Sequence, residues 1–111
     1  MFKGLKVTDH AKTAQYETKH FLVANGYKVF LEVPIDYNGK QGFIDIVAIK
    51  DGVYYPIEFD RLTPRKKSIL KVKEYCKTHP RSKPFILLRG TESFIQDSVE
   101  IVGVPLKGDC I

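Results

Sequence analysis

With 111 residues, 43% of them hydrophobic, residues 1–111 read as one domain, near the lower part of the common size range yet able to bury a real core. Eighteen Lys and Arg against thirteen Asp and Glu leave a net charge of +5 and a pI near 9.2, a balance that favours an anionic partner such as nucleic acid. Nothing resembles a secretory signal or a bilayer-spanning run, Cys76 and Cys110 make no CxxC pair, and His10, His20 and His79 offer no zinc pattern, so no membrane attachment and a reducing cytoplasm are expected.

Residues 9–25 are expected to be helical: Ala11, Ala14, Thr18, Phe21 and Leu22 recur at helical spacing, with Thr8 available as a cap and Gly26 as the stop. "YKVFLEVPI" reads as a strand, and Asn38-Gly39 with Lys40-Gln41-Gly42 as a turn or flexible loop. The stretch 43–60, "FIDIVAIKDGVYYPIEFD", reads as a hairpin, because Asp51-Gly52 suits a two-residue type I′ turn. "TPRKKSILKVKEYCKTH" is the second expected helix, capped by Thr63 with Pro64 at its first position and ended by Pro80. "KPFILLRG" follows as a strand buried on both sides, "TESFIQD" as a weak helical turn and "VEIVGVPL" as a last strand. The order α-β-β-β-α-β-α-β predicts an α/β sandwich, a central mixed sheet with helices on both faces. Ile44, Ile46, Ala48, Ile57 and Phe59 would face one helix, and Val47, Ile49 and Tyr54 the other.

The hairpin carries an unusual charge pattern. If Lys50 pairs with Val53, then Asp45 falls opposite Glu58, and Asp60 shares their face. That pair is of the non-hydrogen-bonded kind, with Cβ atoms roughly 4.5–5.5 Å apart. Carboxylates so placed among apolar side chains either raise a pKa or gather a cation, and hard oxygen ligands suit Mg²⁺ or Mn²⁺. The plainer reading is an exposed acidic hairpin end with basic partners nearby. In the second helix Ile69, Val72 and Cys76 form the expected buried stripe, with Lys66, Lys73 and Lys77 on one flank and Lys67 and Lys71 on the other. Either flank could follow a phosphate backbone, as could Lys40 in its glycine-bounded loop and Arg81 with Lys83. Cys76 with His79 lacks the third group that would orient a nucleophilic pair.

"GYKVF", "IDIVAIKDG" and "IEFD" resemble segments of the PD-(D/E)XK nuclease superfamily, closest in pattern to the small archaeal-type Holliday junction resolvases. The likeness runs over roughly residues 11 to 89 through a short motif. The resemblance implies a restriction-endonuclease-like fold that cuts DNA phosphodiesters with a divalent metal, often as a homodimer, and puts Asp45 and Glu58 on metal-ligand positions. An active site on that plan would hold Mg²⁺ or Mn²⁺ between Asp45, Glu58 and the Phe59 carbonyl, with Asp60 taking a water's proton or holding a second ion. Two positions depart from the pattern. The family's lysine, two residues after the glutamate, is Asp60 here, so Arg61, Lys66 or Lys67 would have to supply the cation. The glutamate that resolvases carry on the first helix aligns with Gln15, while Glu17 lies two residues on; the two flank the apolar stripe from opposite sides, and only one can face the site. DNA contacts are expected from Lys40, Arg61, Lys66, Lys67, Lys73 and Arg81. The alternative is a nuclease fold that no longer cuts and serves as a nucleic-acid- or protein-binding module.

Overall fold

Two-residue turns set the sheet. In the computed structural model, which describes residues 1–108, Asp51 and Gly52 both take positive φ, so β2 (Lys40–Lys50) and β3 (Val53–Phe59) pair with Lys50 opposite Val53, Ile49 opposite Tyr54 and Val47 opposite Pro56. Asn38 and Gly39 make a second turn of this kind, joining β1 (Lys28–Tyr37) to β2. The loop expected over Lys40–Gly42 is therefore strand. A third turn, at Asp97 and Ser98, joins β5 (Ser93–Gln96) to β6 (Val99–Val104), and the segment expected to be a helical turn is strand β5. Both of its central residues take positive φ without a glycine, so the usual sequence signal for this turn is missing.

With α1 (Ala11–Ala24), α2 (Lys66–Thr78) and β4 (Phe85–Arg89), the elements build one six-stranded mixed sheet in the order β1-β2-β3-β4-β6-β5. β3, β4 and β6 run parallel, and the other neighbours are antiparallel. Pro56 is tolerated because Tyr54, two residues before it, turns its backbone groups toward residues 81–83; Pro56 shares that orientation, where the β3–β4 ladder begins only at Ile57.

Alternate residues put a helix on each face. Ile46, Ala48, Ile57 and Leu87 pack with Ala14 and Leu22 of α1, whereas Ile86, Leu88 and Ile101 pack with Ile69 and Val72 of α2. This is a restriction-endonuclease-like α/β arrangement. Ile44 departs from the expected side: it clusters with Val47 and Tyr75 under α2, because the sheet is interrupted between Ile44 and Ile46. The buried face of α2 is also rotated from expectation. It carries Ser68, Ile69, Lys71, Val72 and Tyr75, with Cys76 only half-buried.

Neither helix uses its expected threonine cap. α1 begins after His10, and the Thr8 amide and hydroxyl donate instead to Glu17. α2 begins after Arg65, leaving Pro64 outside the helix. Cys110 lies outside the described residues. Among the described residues, no helix is long and apolar enough to cross a membrane.

Candidate active site

The site is built where the sheet comes apart. The β1–β2 register runs unbroken from Lys28↔Ile49 to Leu31↔Ile46 and resumes at Val33↔Ile44, but the Glu32–Asp45 step is skipped and Glu32 takes φ +52°. A glutamate in that conformation is strained, and such strain persists only where the surroundings fix it. Here the backbone groups of Asp45 find side chains in place of a strand. Its amide donates to Glu58 Oε2 at 2.8 Å, and its carbonyl accepts from Gln15 Nε2 at 2.8 Å. Gln15 also donates to Glu32 Oε2 at 3.0 Å, and Phe59 N donates to Asp45 Oδ2 at 2.9 Å.

Glu58 is 1% exposed. Its second oxygen meets Lys71 Nζ at 2.6 Å, and the same ammonium donates to the Phe43 carbonyl at 2.9 Å. Lys71 crosses from α2 with its stem beside Gly42, where a Cβ would sit 3.6 Å from its Cδ and 2.8 Å from the Tyr37 ring. Glycine at 42 thus keeps the corridor open for both side chains. Lys71, expected on one flank of the helix, is buried and brings its ammonium to Glu58, whereas Arg61, Lys66 and Lys67, from which a cation was expected, are exposed. A four-carbon stem on the inward edge of a helix reaches where a short side chain cannot.

Burial pushes Glu58 up to about 7, and the neighbouring Asp45 carboxylate pushes the same way, against the pull of Lys71. Burial also raises Asp45, opposed by its bond from Phe59. The folded protein therefore binds more protons than the unfolded chain between about pH 4.5 and 7, and stability must fall as pH rises through that window. Without divalent ions the melting temperature is expected to be higher near about pH 5 than near about pH 8, read by circular dichroism. A flat profile would mean that Glu58 is already charged at the acid end.

The donor set suits a hard divalent cation: two carboxylates and, beside them, the Phe59 carbonyl. Asp60 N bonds to Leu87 O of β4, so the backbone groups of Phe59 point the other way, toward β2 and Asp45. Among the described residues no group of three or more His, Cys, Asp or Glu forms a ready-made cage.

The site thus sets one carboxylate on each of two paired strands, with a lysine reaching in from α2. The chain is similar to a crossover junction endodeoxyribonuclease. That relative, from Sulfolobus islandicus rod-shaped virus 1, is 32% identical over 77 residues, covering 65% of this chain and 63% of its own length. This chain thus spans less than two thirds of that protein. A crystal structure of a protein of unknown function, AF1548, superposes with a TM-score of 0.54 at 22% identity, over 68% of this chain and 45% of that one, a likeness of fold alone. No protein-family model matches the sequence.

Of the other expected site residues, Asp60 is engaged with the start of α2. Its carboxylate, with no exposed surface, accepts from Arg65 N at 2.8 Å, Arg65 Nε at 2.5 Å and Ser68 Oγ at 3.0 Å, which ties down the start of α2. A carboxylate so engaged is a helix anchor, not a free base. Glu17 also lies elsewhere, held by Thr8 and by Lys107 Nζ at 2.5 Å, so Gln15 is the residue of α1 that reaches the site. Lys40 is exposed at the β1–β2 turn, and Arg81 rests on the β2–β3 turn against Asp51, at the end of that hairpin remote from Asp45. Lys66 and Lys73 line a shallow groove along α2, and Lys67 is exposed on the same helix. Beside Lys71, Glu32 is a site residue that sequence reasoning missed. Following the Asn38-Gly39 turn to its register, Tyr37 opposite Lys40, would have set Glu32 opposite Asp45. Burial pushes the Cys76 thiol up, and His79 stacks on Tyr75 with ring centroids 3.9 Å apart, an arrangement for packing.

Proposed function

We propose that this chain is a divalent-metal-dependent endodeoxyribonuclease acting on branched DNA, of the Holliday junction resolvase kind. The observation that carries the reading is the buried Asp45–Glu58 pair clasped by Lys71 at a break in the sheet. A protein that only bound DNA would have no use for converging carboxylates near phosphate, which they repel. The similarity to a crossover junction endodeoxyribonuclease points to the same chemistry.

Asp45, Glu58 and the Phe59 carbonyl would hold Mg²⁺ or Mn²⁺. Bound there, the ion supplies Lewis-acid polarisation of a phosphate oxygen and a water of lowered pKa. The chain's own groups do the rest. Lys71 Nζ, already within the Glu58 carboxylate's reach, offers positive charge to a phosphate or to an attacking water, the part that the lysine two residues after the glutamate plays in the family pattern. Gln15 is a positioning residue: by holding the Asp45 carbonyl and the Glu32 carboxylate it fixes the strand break that aims Asp45. The basic groove along α2, with Lys66 and Lys73, is placed to follow a DNA backbone. Two symmetric cuts across a four-way junction need two such sites, which makes the working unit a homodimer.

The test is cleavage of labelled four-way junction, duplex and single-stranded DNA. Junction cleavage that requires Mg²⁺ or Mn²⁺ and stops with a chelator is the expected result. A junction bound but left intact in both metals would overturn the enzymatic reading in favour of a binding module.

A further inference from the structure

Resting on the nuclease reading, the geometry points to a seat for one unstacked nucleotide at the end of β3 that carries Glu58: a cleft of about 510 Å³ between the start of α1 and the C-terminal ends of β3, β4 and β6. That volume lies in the range of sites for small organic molecules, about 300–1,000 Å³. The cleft begins at Phe59, the residue after Glu58, and its floor is apolar, formed by Phe59, Leu87 and Val104. Arg61 and Arg89 line its polar side. An apolar floor with cationic groups beside it matches the divided chemistry of a nucleotide, a flat base joined to an anionic phosphate.

A second observation marks where the phosphate would lie. The Asp9 carboxylate is paired with Arg89 and stands 3.9 Å from Arg61, so one anionic group already bridges the two guanidiniums. A phosphate oxygen can replace it, since arginine forks bind both groups in the same geometry. Leu62, 77% exposed and also lining the cleft, is an apolar side chain with nothing of its own to cover, placed to pack against an extruded base. A base paired and stacked in duplex cannot enter. The cleft would therefore favour DNA whose stacking is already broken, at a branch point, and would contribute to choosing the strand that reaches Asp45 and Glu58.

The experiment uses the full chain and four-way junctions carrying 2-aminopurine at successive positions around the branch, in Ca²⁺ in place of Mg²⁺, with binding followed separately by gel shift. Bound wild type is expected to raise the fluorescence several-fold at one or two positions. Ala11→Phe, which fills the cleft from an exposed position on α1, is expected to abolish most of that rise. Asp9→Asn frees the two arginines and is expected to tighten junction binding several-fold. A junction that is bound and cut with no responsive position, or an undiminished rise in Ala11→Phe together with unchanged affinity in Asp9→Asn, overturns the nucleotide seat and leaves the nuclease reading standing. Failure of wild type to bind junction at all overturns both.

Discussion

With Asp45 and Glu58 as the proposed metal ligands, Asp45→Asn and Glu58→Gln should each reduce metal-dependent cleavage by about 10³-fold or more, because each would remove a charged oxygen ligand whose loss is worth several kcal/mol at the transition state. Their effects on stability should be opposite, which separates lost chemistry from lost structure. An amide at 45 can still accept from Phe59 N, and its neutrality relieves Glu58 of the neighbour that helps push it up to about 7. Asp45→Asn is therefore expected to melt higher than wild type near about pH 8 without metal, while being inactive. An amide at 58 can still accept from Asp45 N but leaves the buried Lys71 ammonium without its counter-charge, so Glu58→Gln should melt lower. Cleavage within tenfold of wild type in either variant would remove that residue from the site.

Lys71→Met is the second large effect. Removing one member of a buried ion pair costs about 3–5 kcal/mol when the remaining charge stays buried. Glu58 can escape part of that cost by taking a proton, which fixes how the loss depends on pH. Glu58 then titrates still higher, so the melting temperature of Lys71→Met should lie near that of wild type at about pH 5 and well below it at about pH 8. Cleavage should fall by about 10²–10³-fold, the typical cost of one preorganised donor, with the residual activity displaced to higher pH. A variant that melts low but cleaves normally would reduce Lys71 to a structural role. Lys71→Arg tests the corridor beside Gly42, since the planar guanidinium must fit where the narrow stem and point charge of lysine now lie.

Asp45 and Glu58 could be paired from sequence because Asp51-Gly52 fixes the register, and each step outward from a tight turn is certain while the ladder holds. The same logic applied to Asn38-Gly39 brings in Glu32 once that turn is read as two residues closing Tyr37 onto Lys40 and not as part of a longer turn or flexible loop. Lys71 was hidden for a different reason. On a helical wheel it sits at the edge of the apolar stripe, and only the packed distance between α2 and β3 shows that its ammonium ends on Glu58 instead of in water. Asp60 looked like site chemistry because it shares a face with Glu58, yet β3 ends at Phe59 and the chain turns toward α2, which gives Asp60 to the helix start. The sandwich itself was readable from alternating hydrophobicity; strand β5, whose residues are all exposed, had no such pattern to offer.

On the proposed nuclease reading, the ion pair from α2 to β3 makes competence for cutting a property of tertiary docking. Carboxylates and lysine sit on separate elements, and the Asp60–Arg65–Ser68 knot holds the start of the helix that brings them together. An opening that lifted α2 while leaving the sheet paired would switch the centre off before the protein unfolded. Amide exchange along α2 would then track loss of activity more closely than exchange in the sheet, and DNA that closed over the helix would steady the very element that completes the site.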